Sequence, residues 1–426
     1  MIPADGRHAP EPSTTGFVIE SAAMNKHRPC LRPFLRKAQD PRDPDHFYLV
    51  DSLGLSHPAR LTIPETLCLD FLDGHNTPRD IHQASSRLNG FALPSLEHVV
   101  RLVDRLDAGL LLDGPRFRRI LDDPIRPPRC IGCYDADPAI LREQLTDLFQ
   151  RGAGLPRPRT PGSPRLRAVL VPHMDYARGG LAYTWGFKEL AEKTDASLFV
   201  VIGTSHYSRH RLSLTRKSFQ TPLGVVPTDQ AFVDRVVAQY GPGLFDDEHP
   251  AHFPEHSVEL EVVFLQYLFE ERRPIRIVPL VVGSFNDCVL TGAQPGEKPD
   301  VGRMIDALKT AEAQTPEPIC YVISGDLAHI GPKFNGGGEI LTVGLMEQSE
   351  RQDRLLMRHA AQGDMRRYFD VIAREGDRRN ICGLPPTYLT VEAADARRGE
   401  LLAYDRFVDP SGKESVSFAS MAFYSR

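Results

Sequence analysis

The chain has no run approaching the roughly 18 consecutive apolar residues that a membrane-crossing helix needs, so no membrane span is expected. It has no G-x-x-x-x-G-K-[ST], no G-x-G-x-x-G and no G-x-S-x-G, which leaves phosphate-cradling loops and a serine nucleophile without support. It has no basic excess: 51 Lys and Arg against 56 Asp and Glu give a net charge of −5, so nothing global favours nucleic acid or an anionic membrane as partner. Cysteine is sparse, with seven in 426 residues. An odd, scattered set argues against a disulfide framework. The first 30 residues contain no apolar stretch of the signal type and few apolar residues of any kind, which reads as a mobile tail on a cytoplasmic protein.

What is present is ordinary globular material. A hydrophobic fraction of 41% and a charged fraction of 25% can build a sizeable core. From about 31 to 122 a small helical domain is expected. Phe47–Val50 reads as a strand. Thr62 and Glu65 form a capping box with Pro64 in the first turn, and Leu67, Cys68, Phe71 and Leu72 give that helix an apolar face before Gly74. Thr77-Pro78 starts a second helix carrying Ile81, Ala84 and Leu88. A third follows Ser95, with Val99, Leu102, Val103 and Leu106 inward and Gly109 at its end, and Leu110–Leu112 would be a closing strand. Strand, three helices and strand is a winged-helix order. The second helix offers only Arg79, His82, Gln83 and Arg87 on its polar face, a thin basic surface for reading DNA.

Residues 128–426 have a different rhythm. Asp137-Pro138 opens a helix with Leu141, Leu145, Leu148 and Phe149 on one face, and an arginine- and proline-rich loop follows. Four almost wholly apolar runs then alternate with helical stretches: Ala168–Val171, Leu198–Ile202, Ile275–Val282 and Ile319–Ile323. Such runs are the pattern of a sheet covered on both faces, an α/β fold. The stretch Val416–Phe423 reads as a further strand near an edge.

Three of the four runs end in chemistry. The first is followed by His173, Asp175 and Tyr176, the second by Ser205 and His206, the fourth by Asp326 and His329. In open α/β sheets ligands bind beyond the carboxyl ends of the strands, so these groups are expected at one edge. Imidazoles with a carboxylate suit iron, zinc or manganese. His256, at the entrance of an amphipathic helix, is placed for proton transfer, with Tyr176 or Ser205 to orient substrate. Glu248, His249 and His252 read as solvated loop residues. Cys130 and Cys133 form a C-x-x-C without a second pair at zinc-finger spacing. Cys382 reads more simply as a small buried core residue than as part of a pocket.

The ordered strings VPHMDY…GG, GTSHYS, TPLGVVPTDQ, PEHSVELEVVFLQYL, IVPLVVGSF, SGDLAHIG and CGLPP, with IGCYDADPAILREQL before them, resemble the Memo family, protein B of the AmmeMemoRadiSam set. The segment DFLDGHNTPRDIHQ resembles PqqD-like winged-helix domains, which bind leader peptides by strand addition. The Memo resemblance implies a fold related to the class III extradiol dioxygenases (LigB-like), with metal ligands at His173 and His206 and an acid/base histidine at His256. It implies iron foremost, with zinc or copper as other metals, and a radical-SAM enzyme and a peptide substrate as partners, either for an enzyme or for a non-catalytic binding module. Some members carry a cysteine where this chain has Ala328, which leaves the third ligand to Asp326, His329, Asp175 or solvent and makes a cysteine-ligated site unexpected.

Overall fold

The computed structural model describes residues 28–87, 95–159, 165–334 and 340–425. It divides into two units, one ending at Asp123 and the other beginning at Pro124. The tail expected before residue 30 falls almost wholly outside the described residues, as does Leu88.

The first unit begins with an antiparallel meander of β1 (Leu35–Asp40), β2 (Asp43–Asp51) and β3 (Ala59–Thr62). Thr62 then caps α1 (Ile63–Cys68): its hydroxyl accepts the Glu65 N–H, and the Glu65 carboxylate accepts the Thr62 N–H. The same device starts α2 (Pro78–Ser85) with Thr77 and Asp80, and Ser95 caps α3 (Leu96–Ala108). Glu65 also accepts from His98 and Arg105 of α3, so one capping residue ties two helices together. Val99, Leu102, Val103 and Leu106 face inward as their spacing predicts. A fourth helix, α4, spans Pro115–Asp122.

The closing strand at Leu110–Leu112 does not form. The Leu110 and Leu111 N–H groups are consumed by the Asp107 and Leu106 carbonyls at the helix end, Leu110 has φ of 58°, and Leu112 makes only an isolated bridge to Leu31. Among the described residues all three strands of this unit's sheet precede its helices, so the winged-helix order is not what the unit shows.

In the second unit the strands in chain order are β4 (Ile125–Arg126), β5 (Leu166–Val171), β6 (Leu198–Thr204), β7 (Leu212–Leu214), β8 (Ser218–Thr221), β9 (Gly224–Val226), β10 (Arg276–Val282), β11 (Ile319–Ser324), β12 (His329–Ile330), β13 (Arg398–Val408) and β14 (Ser415–Tyr424). β4, β8 and β9 make a small separate sheet. The main sheet runs β12-β14-β5-β11-β6-β10-β7, with β13 also paired to β14. Its centre, β5-β11-β6-β10, is parallel. The mixed α/β class read from the apolar runs is the class observed.

Every residue of β5, β6 and β11 is buried, and the side chains alternate between two cores. On one face Leu170, Val200, Ile202, Leu280 and Ile323 pack under helices at Gln230–Tyr240, Pro299–Ala313 and Met365–Arg374. On the other Val169, Val171, Phe199, Val201 and Val322 pack under α5 (Pro138–Arg151), α6 (Tyr176–Lys193) and α7 (Glu259–Phe269). β14 lies second from the edge, as expected, with β13 outside it. It is hydrogen-bonded on both sides, by β13 along its length and by β5 and β12, which explains why all ten of its residues are buried. The edge strand itself, β13, was not read from the sequence, because it is half-exposed and its mixed composition hides it from a search for apolar runs. Among the described residues no helix is long and apolar enough to cross a membrane.

Candidate metal centre

The register sets the site. Ser324 of β11 pairs with Val171 of β5 on one side and with Gly203 of β6 on the other, so the three chains leave the sheet at one level. His173, His206 and Asp326 therefore emerge side by side. Two loops from elsewhere complete the group. His256 comes from the segment before α7, and Cys382 from the turn before α8 (Leu384–Ala393). Ring centroids of His173, His206 and His256 are 4.7 to 5.2 Å apart. The Cys382 Sγ lies 3.2 Å from His173 Nε2, and an Asp326 carboxylate oxygen lies 3.7 Å from the same nitrogen.

Small residues permit this crowding. A Cβ on Gly383 would stand 2.5 Å from the Asp326 carbonyl, and one on Gly203 would stand 2.4 Å from the Ser257 hydroxyl. Backbone approach at Gly383 lets its N–H reach the Asp326 carbonyl at 2.8 Å and seats Cys382 against the centre. The Thr204 hydroxyl secures that turn by donating to the Cys382 carbonyl at 2.7 Å.

Glu255 orients the exposed half of the site. Its buried carboxylate accepts the backbone N–H groups of His206, His256 and Ser257 at 2.8 to 3.0 Å, and the His206 Nδ1 lies 3.0 Å from it. Burial opposes its charge, but His206 and these hydrogen bonds outweigh burial and hold the carboxyl far below its ordinary range. Burial likewise lowers the His206 pKa, and the Glu255 charge and hydrogen bond more than reverse this, leaving it raised. With Nδ1 turned to Glu255, the Nε2 of His206 is the nitrogen directed elsewhere, as in carboxylate–histidine–metal arrangements. His256 is shifted down, by burial and by His206, against the pull of Glu255.

The inner half is dry. His173 is 3% exposed, its Nδ1 is buried without a hydrogen-bond partner, and burial with two imidazole neighbours drives its pKa well down. Asp326 accepts the His173 N–H at 3.1 Å, but burial dominates and raises its carboxyl to about 7. Burial and the nearby Asp326 push the Cys382 thiol well up.

Two sets of side chains offer ligand atoms within one ion's reach: His173, His206 and His256, and His173, Asp326 and Cys382. His173, His206 and Asp326 stand where they were expected, and His256 stands close enough to coordinate as well as to carry protons. His329 falls outside both sets: its Nδ1 is engaged with the Leu327 and Asn380 carbonyls at 3.1 Å, and burial takes its pKa to about 4. Asp175 caps α6 and pairs with Arg178. Tyr176 points into the core, 2% exposed, donating its hydroxyl to the Leu260 carbonyl at 2.6 Å among Tyr134, Tyr183 and Phe264. His252, expected in solvent, is 2% exposed. Cys382, read from the sequence as a core residue, stands at the site instead, and Glu255 was missed. The absent cysteine at Ala328 made a thiol site unexpected, yet a thiol arrives from 54 residues further along the chain. Cys-Gly before a proline-started helix, and Glu directly before His256, were the available signals.

A cavity of about 190 Å³ opens beside the centre, lined by Thr204, Ser205, Phe285, Ile381 and Cys382. It shares Ser284, Asn286, Asp377 and Asn380 with a wider cleft of about 660 Å³.

A doubly covered α/β sheet with imidazole, carboxylate and thiol groups gathered at its carboxyl edge defines a candidate metal-binding protein. The sequence comparisons agree with the family resemblance: the family model described as Memo-like protein matches residues 126–422, and the chain belongs to that family. A MEMO1 family protein of Methanopyrus kandleri is 28% identical over 299 residues, covering 68% of this chain and 95% of the relative. One from Methanothermobacter thermautotrophicus is 28% identical over 307 residues, 70% of this chain and the whole of the relative. One from Aquifex aeolicus is 24% identical over 393 residues, 89% of this chain and 96% of the relative. That last alignment is longer than the second unit can supply, so it extends into the first.

Proposed function

We propose that the second unit binds one transition-metal ion, iron foremost, at His173, with Cys382 and Asp326 on one side of it and His206 and His256 on the other, and serves as a redox or oxygenase-like enzyme of small molecules entering by the adjoining cleft. The observation that supports this most is the convergence of His173 and Cys382, 3.2 Å apart, with a second imidazole oriented by an ionised, buried Glu255. The mixed imidazole–thiol donor set around the His173 Nε2 fits an ion of the iron, zinc or copper class, since these accept both nitrogen and sulfur. A bound iron would supply one-electron chemistry and activation of oxygen. The chain's own contribution is positional. Glu255 fixes the His206 ring, Asp326 holds the His173 backbone, and His256, half-buried beside both, takes or gives a proton.

A second reading makes the protein a non-catalytic partner of a radical-SAM enzyme that presents a peptide. Its support is in the first unit, where among the described residues β1 pairs with β2 alone, leaving a strand edge of the kind an extended peptide can join. Elemental analysis of protein prepared without oxygen, beside a His173→Ala/His206→Ala double variant, separates the readings. Near-stoichiometric iron that vanishes in the variant supports the first. No metal in either, even after Fe(II) or Zn(II) is offered, removes it and leaves the binding module.

A further inference from the structure

Away from the metal centre, two thiols face each other. Cys130 and Cys133 end the segment Cys130-Ile131-Gly132-Cys133, and their Sγ atoms are 3.0 Å apart. The segment is a tight turn: the Cys133 N–H donates to the Cys130 carbonyl at 2.9 Å, and Gly132 takes φ of 105°, a backbone shape that side chains rarely adopt. The tip faces outward, with Ile131 49% exposed and nothing within 4 Å of where a Gly132 Cβ would stand. The flanks are fixed. The Cys130 N–H donates to the buried Glu259 carboxylate at 2.8 Å, and the Cys133 carbonyl accepts the Tyr176 N–H at 3.0 Å. Rigid flanks, an open tip and two thiols within van der Waals contact are what a reversible sulfur–sulfur bond requires.

We propose that Cys130 and Cys133 are a dithiol–disulfide site that exchanges with small external disulfides, separate from the metal centre. The Cys133 thiolate attacks one sulfur of the external disulfide RSSR. That bond breaks, one RS⁻ leaves and takes a proton from water, and Cys133 carries the mixed disulfide. Cys130 gives its proton to solvent, attacks the Cys133 sulfur and expels the second RS⁻, which is protonated in turn. Two protein thiols are oxidised to one disulfide, and RSSR is reduced to two RSH. Either thiol can donate in the contact between them. Cys133 is assigned as the attacking group because the Cys130 N–H is fixed on the Glu259 carboxylate, which holds Cys130 beside a negative charge that disfavours its thiolate.

The test uses the full chain, reduced and then exposed to excess oxidised glutathione without oxygen, blocked with N-ethylmaleimide and digested with trypsin. Cleavage after Arg129 and Arg142 places both cysteines on one peptide. The expected result is loss of two hydrogens from that peptide with no maleimide added. Cys130→Ser should accumulate a glutathione adduct at Cys133, at least about tenfold faster than Cys133→Ser acquires one at Cys130. Circular dichroism confirms that each variant is folded. Both thiols fully alkylated in the folded, oxidant-treated protein, or adducts confined to the peptides of Cys30 and Cys382, would overturn the site. Equal rates in the two single variants would overturn the assignment of Cys133.

Discussion

The two halves of the candidate metal centre each pair a histidine with a buried carboxylate, yet the two pairs are shifted in opposite directions. Glu255 is ionised and its partner His206 is shifted up; Asp326 is shifted to about 7 and its partner His173 is shifted down. Burial is similar, with Glu255 at 1% and Asp326 at 2% exposed. The difference is the adjacent His206 imidazole first and the number of donors second. Glu255 receives three backbone N–H groups and an imidazole, whereas the Asp326 side chain receives the single N–H of His173. A buried carboxylate keeps its charge when the chain supplies N–H groups to it and surrenders it when the chain does not. The site therefore joins an oriented half, whose carboxyl is held low, to a dry half, whose carboxyl is held up, with the Cys382 thiol on the dry side.

Breaking this contrast should have unequal costs. Glu255→Ala leaves His206 and three N–H groups without a partner and should destabilise the metal-free protein by about 3–5 kcal/mol, read from denaturant unfolding; an unchanged midpoint would mean that Glu255 does not organise the site. Next in size is the acid limb. His252 and His329 are both held near pKa 4 by burial, below the ordinary 6.5, so their stabilising contribution is full above about pH 6.5 and is lost as the pH falls towards 4. Each is worth on the order of 3 kcal/mol at most across that window. His252→Leu should flatten the fall in Tm between pH 6.5 and 4, and a fall of the same steepness would discount His252.

Smaller effects sharpen the comparison. Gly383→Ala forces a Cβ against the Asp326 carbonyl and should cost about 1–3 kcal/mol together with metal affinity, because the Cys382 turn must move. Tyr176→Phe removes a hydrogen bond to Leu260 and should cost about 1 kcal/mol while leaving metal affinity unchanged. A lost metal in that variant would return Tyr176 to the centre. Smallest of all, Asp326→Asn should change the stability of the metal-free protein by under about 1 kcal/mol below pH 7. Its carboxyl is already largely neutral there, and an amide oxygen can still accept the His173 N–H.

Much of this centre was readable before the fold was known, for a definite reason. Wholly apolar runs mark strands buried on both faces, and whatever follows such a run lies at the sheet's functional edge. His173, His206 and Asp326 were found this way. Cys382 and Glu255 were not, because they lie on loops that follow no strand of the parallel core, and only tertiary packing at Gly383 and Gly203 brings them in. Tyr176 shows the converse error: proximity in sequence to His173 suggested the pocket, but the first turn of α6 rotates its ring into the aromatic core. In the first unit the helix starts were plain from the Thr62–Glu65 capping box and from Thr77-Pro78, since such signals are local. The strands β1 and β3 were not, since β1 is largely exposed and β3 is short with only Leu61 buried, so neither offers an apolar pattern.

The claim that most needs testing is that the dry half supplies a sulfur ligand. X-ray absorption of the iron- or zinc-loaded protein, with and without Cys382→Ser, addresses it directly. The account predicts about one metal per chain with a single sulfur neighbour, and loss of that sulfur in the variant while the imidazole signal remains. A bound metal with only nitrogen and oxygen neighbours, unaltered by Cys382→Ser, would contradict it and move the site to the three histidines.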